Sequence, residues 1–470
     1  MSSEVLTSPL PCPSNWRLVR LKHICTKIGS GATPTGGQAA YQEHRSNYAL
    51  VRSQNVFDRE FSSSGLAFIS DEQASSLRSA KLEPDDILLN ITGDGVTFGR
   101  ACLVPADVLP ACVNQHVSIV RLDRNQADPG YVLSYFTHPL IKGYIESFNA
   151  GGSRRAITKG HIESFVLPLP SLAEQESIAE TLGTFDDRIA LLRETNATLE
   201  AIAQALFKSW FVDFDPVHAR ARGEQPAGLT PEVTALFPDC FEESALGMIP
   251  KGWKLMPFGE LLNHTIGGDW GDETPNDKND TKVAIIRGTD MPDLQSGMIG
   301  RVPVRYTSQK KLATRKLQDG DLVLEVSGGS KDQPTGRSLY MTTGLLEQFD
   351  CPVEPASFCR LLRPISHEYG VLLSQHMTYI YADGKTWQYQ NQSTGIANFQ
   401  TTHFLETEVV AVPTDDVLKL FAETIRSMID RSHLNQIAQL AALRDTLLPR
   451  LLSGQLRLPD AEQQLKDLAV

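Results

Sequence analysis

A four-three rhythm of apolar residues dominates the middle of the chain. Between Ile178 and Trp210, apolar positions recur at alternating intervals of four and three residues, with one polar residue, Asn196, among them. A heptad seam of this length is typical of a helix in a coiled coil. Ser171 stands before the pattern as an N-cap, with Glu174 three residues on. The pattern predicts a coiled-coil helix over 171–212 with a seam of Ile178, Leu182, Phe185, Ile189, Leu192, Asn196, Leu199 and Leu206.

A second stretch of the same kind lies near the C-terminus, and it predicts a second coiled-coil helix over 414–456. The rhythm is noisier there, because the register slips before Ile429, and Pro449 would end or kink the helix. Its seam includes Leu440, Leu443 and Leu447. Each helix either packs on its own domain or pairs with the other helix. We expect an antiparallel pair, because both helices are long for the domains they follow. Asn196 then either fixes the register of the pair or faces solvent.

Short apolar runs between turn residues predict strands, and these runs occur twice. The stretch KLEPDDILLNITGDG at 81–95 returns as KLQDGDLVLEVSGGS at 316–330. YALVRSQNV at 48–56 returns as VAIIRGTDM at 283–291, and HIESFVLPLP at 161–170 returns as HFLETEVVAVP at 403–413. Predicted strands are 87–91, 117–122 and 165–169, with counterparts at 322–326, 358–362 and 408–412; 73–79 and 129–147 are predicted helices.

This order of segments predicts an α+β protein built from a duplicated domain. Two repeated α/β globular domains would be joined by two long antiparallel coiled-coil helices and related by a pseudo-twofold axis. The segments are domain 1 at 1–170, the first helix at 171–212, a linker at 213–250, domain 2 at 251–413, the second helix at 414–456 and a tail at 457–470.

Composition and charge place the chain in an ordinary class. Of its residues 41% are hydrophobic and 21% charged, with no apolar run long enough for a membrane span and no secretion signal. The seven cysteines fit neither a zinc site nor a disulfide framework, so we expect a cytoplasmic protein with reduced thiols. The net charge of −12 comes mainly from 171–245, where 14 acidic residues face 5 basic ones, while 1–170 is close to neutral. A local basic face for nucleic acid is therefore compatible with the total.

Sequence signatures of catalysis are missing, and we predict no catalytic residue, bound metal or cofactor in this chain. The glycines at 93, 95 and 99 miss the dinucleotide-binding spacing, and Tyr379 replaces the first glycine of a phosphate loop before Gly384. A nuclease cluster of Asp321, Glu325 and Lys331 is disfavoured, because the matching positions of the first half are Asp86 and Asn90.

The loops after the repeated strands instead carry side chains suited to nucleic acid. Arginine pairs with guanine, glutamine and asparagine pair with adenine, and lysine binds phosphate. The glycine-rich loop at 151–161 adds two arginines and a lysine, whereas the matching loop of the second half is uncharged. Predicted DNA contacts are Arg52, Gln54, Asn55, Arg100, Ser153, Arg154, Arg155, Lys159, Arg287, Thr289, Lys310, Lys311, Arg315, Lys316 and Arg337.

The chain resembles the specificity subunits of type I restriction–modification systems. The resemblance is carried by PLPSLAEQESIAETLGTFDDRIALLRETNATLEAIAQALFKSWFVDFDPV at 168–217, LFPDCFEESALGMIPKGW at 236–253 and LLPRLLSGQL at 447–456. It implies that the two domains are target recognition domains that each read half of a split sequence in double-stranded DNA. It also implies two modification (methyltransferase) subunits that bind S-adenosylmethionine, and restriction (translocase/endonuclease) subunits that use ATP and Mg. The alternatives are a recognition arm whose catalysis lies in a partner chain, and a protein-binding scaffold that does not bind DNA.

Overall fold

The computed structural model describes residues 6–93, 97–148, 155–244, 247–328, 333–393 and 396–460. It divides into two compact units, with 1–190 and 440–470 in unit 1 and 191–439 in unit 2. Both mix helices and sheets. Among the described residues, no helix is long and apolar enough to cross a membrane.

The first part of the chain contains short strands and mostly short helices. Its strands are β1 (Arg17–Arg20), β2 (Cys25–Ser30), β3 (Tyr48–Val51), β4 (Val56–Phe57), β5 (Glu60–Phe61), β6 (Ala67–Ile69), β7 (Ile87–Asn90), β8 (Thr92–Gly93), β9 (Ala101–Leu103), β10 (Ala111–Val113), β11 (Val117–Leu122), β12 (Arg155–Ala156) and β13 (Val166–Leu169). Its helices are α1 (Asp71–Ser76), α2 (Pro129–Thr137), α3 (Pro139–Ser147), α4 (Lys159–Ser164) and α5 (Leu172–Phe207).

The second part repeats this plan. Its strands are β14 (Phe241–Ser244), β15 (Gly247–Pro250), β16 (Lys254–Pro257), β17 (Leu262–Gly267), β18 (Thr281–Ile286), β19 (Val304–Thr307), β20 (Leu322–Glu325), β21 (Ser327–Gly328), β22 (Ser338–Tyr340), β23 (Val353–Pro355), β24 (Cys359–Pro364), β25 (Gln390–Ser393), β26 (Ile396–Phe399) and β27 (Val409–Val412). Its helices are α6 (Asp215–Ala221), α7 (Pro231–Thr234), α8 (Met291–Gln295), α9 (Gln309–Arg315), α10 (Thr343–Leu346), α11 (His367–Ala382), α12 (Thr401–Thr407), α13 (Asp415–Ser432) and α14 (Gln436–Leu452).

The strand orders confirm the duplication. Unit 1 has a four-stranded antiparallel sheet in the order β2-β11-β7-β9, and unit 2 has its counterpart, β17-β24-β20-β22. A three-stranded sheet accompanies each, β10-β3-β6 in unit 1 and β19-β18-β23 in unit 2, and each contains one parallel pair, β3 with β10 and β18 with β23. The predicted strands are therefore confirmed to within two residues at their ends. The helix predicted at 129–147 is two helices, α2 and α3, which are separated at His138.

The repeated stretch at 81–95 and 316–330 forms the same ion pair in both units. In unit 1, Arg121 on β11 donates to both carboxylate oxygens of Asp86, at 2.7 and 2.8 Å. In unit 2, Arg363 on β24 donates to both oxygens of Asp321, at 2.8 and 2.7 Å. Each aspartate precedes a fully buried strand, β7 or β20, and each is at most 1% exposed. The repeated motif therefore fastens two neighbouring strands of the central sheet in each unit.

The first long helix is confirmed, and it begins where the capping pattern predicts. The Ser171 hydroxyl accepts a hydrogen bond from the Glu174 amide at 3.3 Å, and a π-helical turn at Lys208–Val212 continues the helix after Phe207. The structure buries five residues of its predicted seam almost completely, namely Ile178, Leu182, Phe185, Ile189 and Leu192, whereas Asn196, Leu199 and Leu206 are half-buried.

The second helix is broken, contrary to the prediction of one continuous helix. α13 ends at Ser432 and α14 begins at Gln436. The break has a tertiary cause: the buried side chain of His433 bonds Thr342 at 2.9 Å, and its carbonyl accepts from Gln348 at 3.0 Å. Pro449 lies inside α14, which continues to Leu452. The half-buried Leu440 and Leu443 and the buried Leu447 pack into the core of unit 1.

Within each unit the two helical segments run in opposite directions. In unit 2, Asn196 contacts Ser432 and Phe207 contacts Phe421, so residue numbers rise along α5 as they fall along α13. In unit 1, Asp186 of α5 pairs with Arg444 of α14 at 2.7 Å, while Ile178 and Leu451 line one cleft. The chain thus has the predicted fold, in which two repeated domains are joined by antiparallel helices.

Candidate DNA interface

The strand pairing of unit 1 gathers several loops at one edge. Strand β11 starts where β2 and β7 end, because Ser118 pairs with Ser30 and Val117 pairs with Asn90. Strand β10 runs parallel to β3, so these two strands end side by side. The described residues that follow the four strand ends, at 31–47, 52–55, 91–93, 97–100 and 114–116, therefore lie together. We call these loops, with β8 and β12, the loop edge of unit 1.

Unit 2 has an equivalent loop edge. There, β24 starts where β17 and β20 end, because Gly267 pairs with Arg360 and Glu325 pairs with Cys359. The parallel strands β18 and β23 end side by side. The loop edge of unit 2 is formed by the described residues at 268–280, 287–290, 326–328, 333–337 and 356–358, together with β21 and β26.

At the loop edge of unit 1, Arg52 and Gln54 lie together. Both donate to the Gly65 carbonyl, and the Arg52 guanidinium lies 5.4 Å from the centre of the Tyr41 ring. Gln54 is exposed and Arg52 is half-buried. These two side chains belong to the accessible surface of the edge.

Asn55 is a correction to the predicted set of DNA contacts. Its side chain is fully buried, with its amide oxygen accepting from the Arg52 amide and its nitrogen donating to the carbonyls of Ser62 and Ser64, at 2.9 and 3.2 Å. These bonds hold the loop in shape and leave Asn55 unavailable to a base, so we drop it as a DNA contact.

The other predicted DNA contacts of unit 1 differ in their surroundings. Arg100 is half-buried, with its guanidinium 4.5 Å from the centre of the Phe57 ring. Lys159 is exposed at the start of α4 and lies 3.5 Å from Glu163. Ser153 and Arg154 lie outside the described residues. The backbone of Arg155 belongs to β12, which pairs with β8 and so reaches the loop edge.

The predicted arginines of unit 2 already have protein partners. Arg287 donates to both carboxylate oxygens of Asp290, at 2.9 and 2.7 Å, and Asp290 occupies the position of Asn55 in the first half. The Arg337 side chain is 14% exposed and donates to the Gly288 carbonyl at 3.1 Å, beside the carboxylate of Glu325. Burial raises the pKa of Glu325 more than the charge of Arg337 lowers it. Arg287 and Arg337 thus mainly brace the loop, while Thr289 is exposed on it.

The basic cluster of unit 2 lies on and beside α9, next to the start of the 268–280 loop. Lys311 forms an ion pair with Asp269 at 2.9 Å, and Arg315 donates to the Gly267 carbonyl at 2.9 Å. Lys310 and Lys316 are exposed. The accessible positive charge of this cluster therefore comes chiefly from Lys310 and Lys316.

Sequence reasoning missed a polar network in the turn after β10. The Thr33 hydroxyl donates to the Gln115 side-chain oxygen, and the Gln115 amide nitrogen lies 3.2 Å from Nε2 of His116. Nδ1 of His116 lies 2.6 Å from the Thr92 hydroxyl. The predicted counterpart strands at 117–122 and 358–362 begin at this turn in the two halves, and they are the signal that could have found it.

The two aspartates of the repeated motif do not form a nuclease site. The Asp321 carboxylate is occupied by Arg363, and the amide nitrogen of Asn90 donates to the backbone carbonyls of Ser53 and Thr97. Lys331 lies outside the described residues. Within the described ranges, no group of three or more His, Cys, Asp or Glu residues is arranged to hold a metal ion.

Comparison with known proteins identifies relatives of this two-domain α+β chain. Residues 13–201 match the family described as type I restriction modification DNA specificity domain. The chain is 25% identical to the type I restriction enzyme HindI specificity subunit of Haemophilus influenzae, over 87% of this chain and 94% of that protein. It is 22% identical to the type I restriction enzyme StySPI specificity subunit of Salmonella potsdam, over 94% of this chain and 90% of that protein.

The fold is similar to that in a crystal structure of the type I restriction–modification system S subunit from M. genitalium. The TM-score is 0.53 at 15% sequence identity, over 95% of this chain and 99% of that chain. Residues 13–201 thus match a type I restriction modification DNA specificity domain, and over most of its length the chain is similar to type I restriction enzyme specificity subunits.

Proposed function

We propose that this chain reads a split sequence in double-stranded DNA and carries no catalytic site itself. Each loop edge is the reading surface of a target recognition domain, one in 1–170 and one in 251–413. The observation that carries the proposal is the duplication: the same sheet, with the same strand ends, presents a set of loops twice in one chain. Loops on a rigid scaffold are the usual place for recognition residues.

The contacts proposed for unit 1 combine base-reading and phosphate-binding groups. Arg52 and Gln54 have the donor and acceptor groups that pair with base edges, and Arg100, Arg155 and Lys159 have positive charges suited to phosphate. Ser153 and Arg154, in the same glycine-rich loop, complete the set.

In unit 2 the proposed contacts depend less on arginine. Thr289, Lys310 and Lys316 are exposed, while the ion pairs of Arg287 and Lys311 and the hydrogen bonds of Arg315 and Arg337 leave these groups a supporting role. The two halves of the target would therefore be read by differently charged surfaces.

The helices would serve as the scaffold for the rest of the complex. α5 exposes Leu191 at 51% and Ile202 at 42%, apolar side chains that a partner subunit would cover. We propose two modification subunits, which supply S-adenosylmethionine chemistry, and restriction subunits, which supply ATP and Mg chemistry. The complex would act in the cytoplasm of a bacterium or archaeon.

The test is a comparison of the purified chain with its reconstituted complex. With S-adenosylmethionine, the chain alone should not methylate DNA, whereas the chain with its modification subunits should methylate one split sequence. Methylation by the chain alone would overturn the non-catalytic assignment. No affinity of the complex for duplex DNA would favour the protein-binding scaffold instead.

A further inference from the structure

One turn of the loop edge makes the same backbone hydrogen bonds in both units. In unit 1 it follows β10 and consists of Asn114, Gln115 and His116, and in unit 2 it follows β23 and consists of 356–358. The Asn114 amide donates to the Val51 carbonyl at 3.0 Å. In unit 2 the Ala356 amide correspondingly donates to the Ile286 carbonyl at 2.8 Å. A second bond also matches: the Ile91 amide donates to the His116 carbonyl at 3.0 Å, as the Val326 amide does to the Phe358 carbonyl at 2.9 Å.

A glycine directly after the end of a neighbouring strand packs closely against the backbone of each turn. A Cβ atom at Gly31 would lie 1.7 Å from the Val113 carbonyl oxygen, and one at Gly268 would lie 2.1 Å from the Pro355 carbonyl oxygen. Only glycine permits this contact, so the backbone of both turns is held rigidly at the loop edge.

The side chains on this common backbone differ in chemistry. Unit 1 presents Gln115, exposed, and His116, half-buried. Unit 2 presents Ser357, exposed, and Phe358, which is 60% exposed. The Phe358 ring is therefore accessible to a ligand at the tip of a rigid turn.

The network around Gln115 sets the orientation of its amide. The amide nitrogen is a donor, so Nε2 of His116 is its acceptor, and Nδ1 of the same ring lies 2.6 Å from the Thr92 hydroxyl. The Thr33 hydroxyl then fixes the oxygen side of the amide. Both amide atoms have a second hydrogen-bonding valence, which is the pair that a glutamine uses bidentately on adenine N6 and N7.

We propose that this turn is the specificity-determining position of both loop edges. Gln115, positioned by Thr33 and His116, reads an adenine in the half-site of unit 1. Phe358 contacts the C5-methyl group of a thymine in the half-site of unit 2. This inference rests on the proposed function, because it needs both loop edges to contact DNA bases.

The test is selection of bound duplexes from a randomised DNA library by the full chain with its modification subunits. Gln115→Ala should lower the discrimination at one adenine-containing base pair of one half-site by roughly 10- to 100-fold and leave the other half-site unchanged. Gln115→Ser with His116→Phe, which builds the turn of unit 2 into unit 1, should lose the same adenine preference with an unchanged melting temperature.

Phe358→Ala should relax one base pair of the other half-site. Replacement of thymine by deoxyuridine at that base pair should weaken binding by the unaltered complex about fourfold. It should not weaken binding by the Phe358→Ala complex, because the ring that contacts the methyl group is gone.

Matched controls lie at the opposite ends of the same strands. Gln126→Ala, beyond the end of β11, and Ile365→Ala, beyond the end of β24, should keep the selected sequence. If the unaltered complex selects a split sequence and Gln115→Ala selects the same one, or binds all sequences uniformly more weakly, the inference is wrong and the proposed function stands. If the unaltered complex selects no sequence, the proposed function fails.

Discussion

Asp186 on α5 and Arg444 on α14 form a hydrogen-bonded ion pair of 2.7 Å in unit 1. Arg59, in the turn between β4 and β5, donates to the other carboxylate oxygen of Asp186 at 2.7 Å, and its side chain is only 5% exposed. One carboxylate therefore ties the recognition domain and both helical segments of unit 1 together.

Removing that carboxylate should destabilise unit 1. Asp186→Ala leaves two arginines without their shared partner, so we expect the free energy of unfolding to fall by about 3 kcal/mol. Asp187→Ala, at the exposed neighbouring position, should change it by less than about 0.5 kcal/mol. Chemical denaturation measures both, and equal effects of the two substitutions would contradict the role of Asp186.

The break between α13 and α14 predicts an effect at Asn196. Its side-chain nitrogen donates to the Ser432 carbonyl at 3.2 Å, where α13 ends. Asn196→Ala removes this bond and should cost about 1 kcal/mol of stability in unit 2. Thr198→Ala, on the exposed side of the same helix, should have a smaller effect. An unchanged denaturation midpoint for Asn196→Ala would place the residue outside the helix contact.

His433 makes the stability of unit 2 dependent on pH. Burial, with a contribution from the charge of Arg426, lowers the pKa of His433 from its ordinary value of 6.5 to about 4. As the pH falls, the unfolded chain therefore binds a proton before the folded protein does. The free energy of unfolding should decrease between pH 6.5 and about 4, by about 3 kcal/mol in total.

The control for this pH dependence is a second histidine of unit 2. His433→Gln should flatten the dependence between pH 6.5 and 4, whereas His367→Gln, at a 63% exposed side chain, should not. A decrease of the same size in the His433→Gln protein would assign the titration to another group.

Exposed lysines beside the loop edge of unit 2 should contribute to the affinity for DNA, and this contribution should decrease as the salt concentration rises. Lys310→Ala with Lys316→Ala should weaken binding of the complex to all sequences alike and reduce the slope of log K against log salt by about 2. Arg154→Ala with Arg155→Ala should act in the same way in the first domain.

Titrations at several salt concentrations measure that slope. Lys251→Ala with Lys254→Ala, which changes two exposed residues in the turn before β16 and at the start of β16, is the matched control. A double variant of Lys310 and Lys316 with the slope of the unaltered complex would remove this cluster from the interface.

Local patterns predicted the long helix and the repeated strands because these elements depend on periodicity and caps. The bond from the Glu174 amide to Ser171 begins α5, as the capping pattern indicates. The break after Ser432 has no such local signal, since 432–436 contains neither glycine nor proline. It depends on Thr342 and Gln348, which lie far away in the sequence.

The candidate interface was less predictable than the fold, because bonds within each loop determine which of its side chains are accessible. Asn55 and Gln54 are adjacent, yet one is buried under its own loop and the other is exposed. Arg287 carries the charge expected of a DNA contact, but Asp290 neutralises it. Residue type indicates what a side chain is able to bind, whereas hydrogen bonding within the loop decides whether it is available.

The most direct measurement of the central claim is methylome sequencing of two hosts. One host carries this chain, and the other carries a variant in which residues 251–413 are replaced by the second domain of a specificity subunit. The account predicts a methylated sequence of two halves with a fixed gap, of which the replacement changes only one half. A contiguous sequence, or a change in both halves, would contradict it.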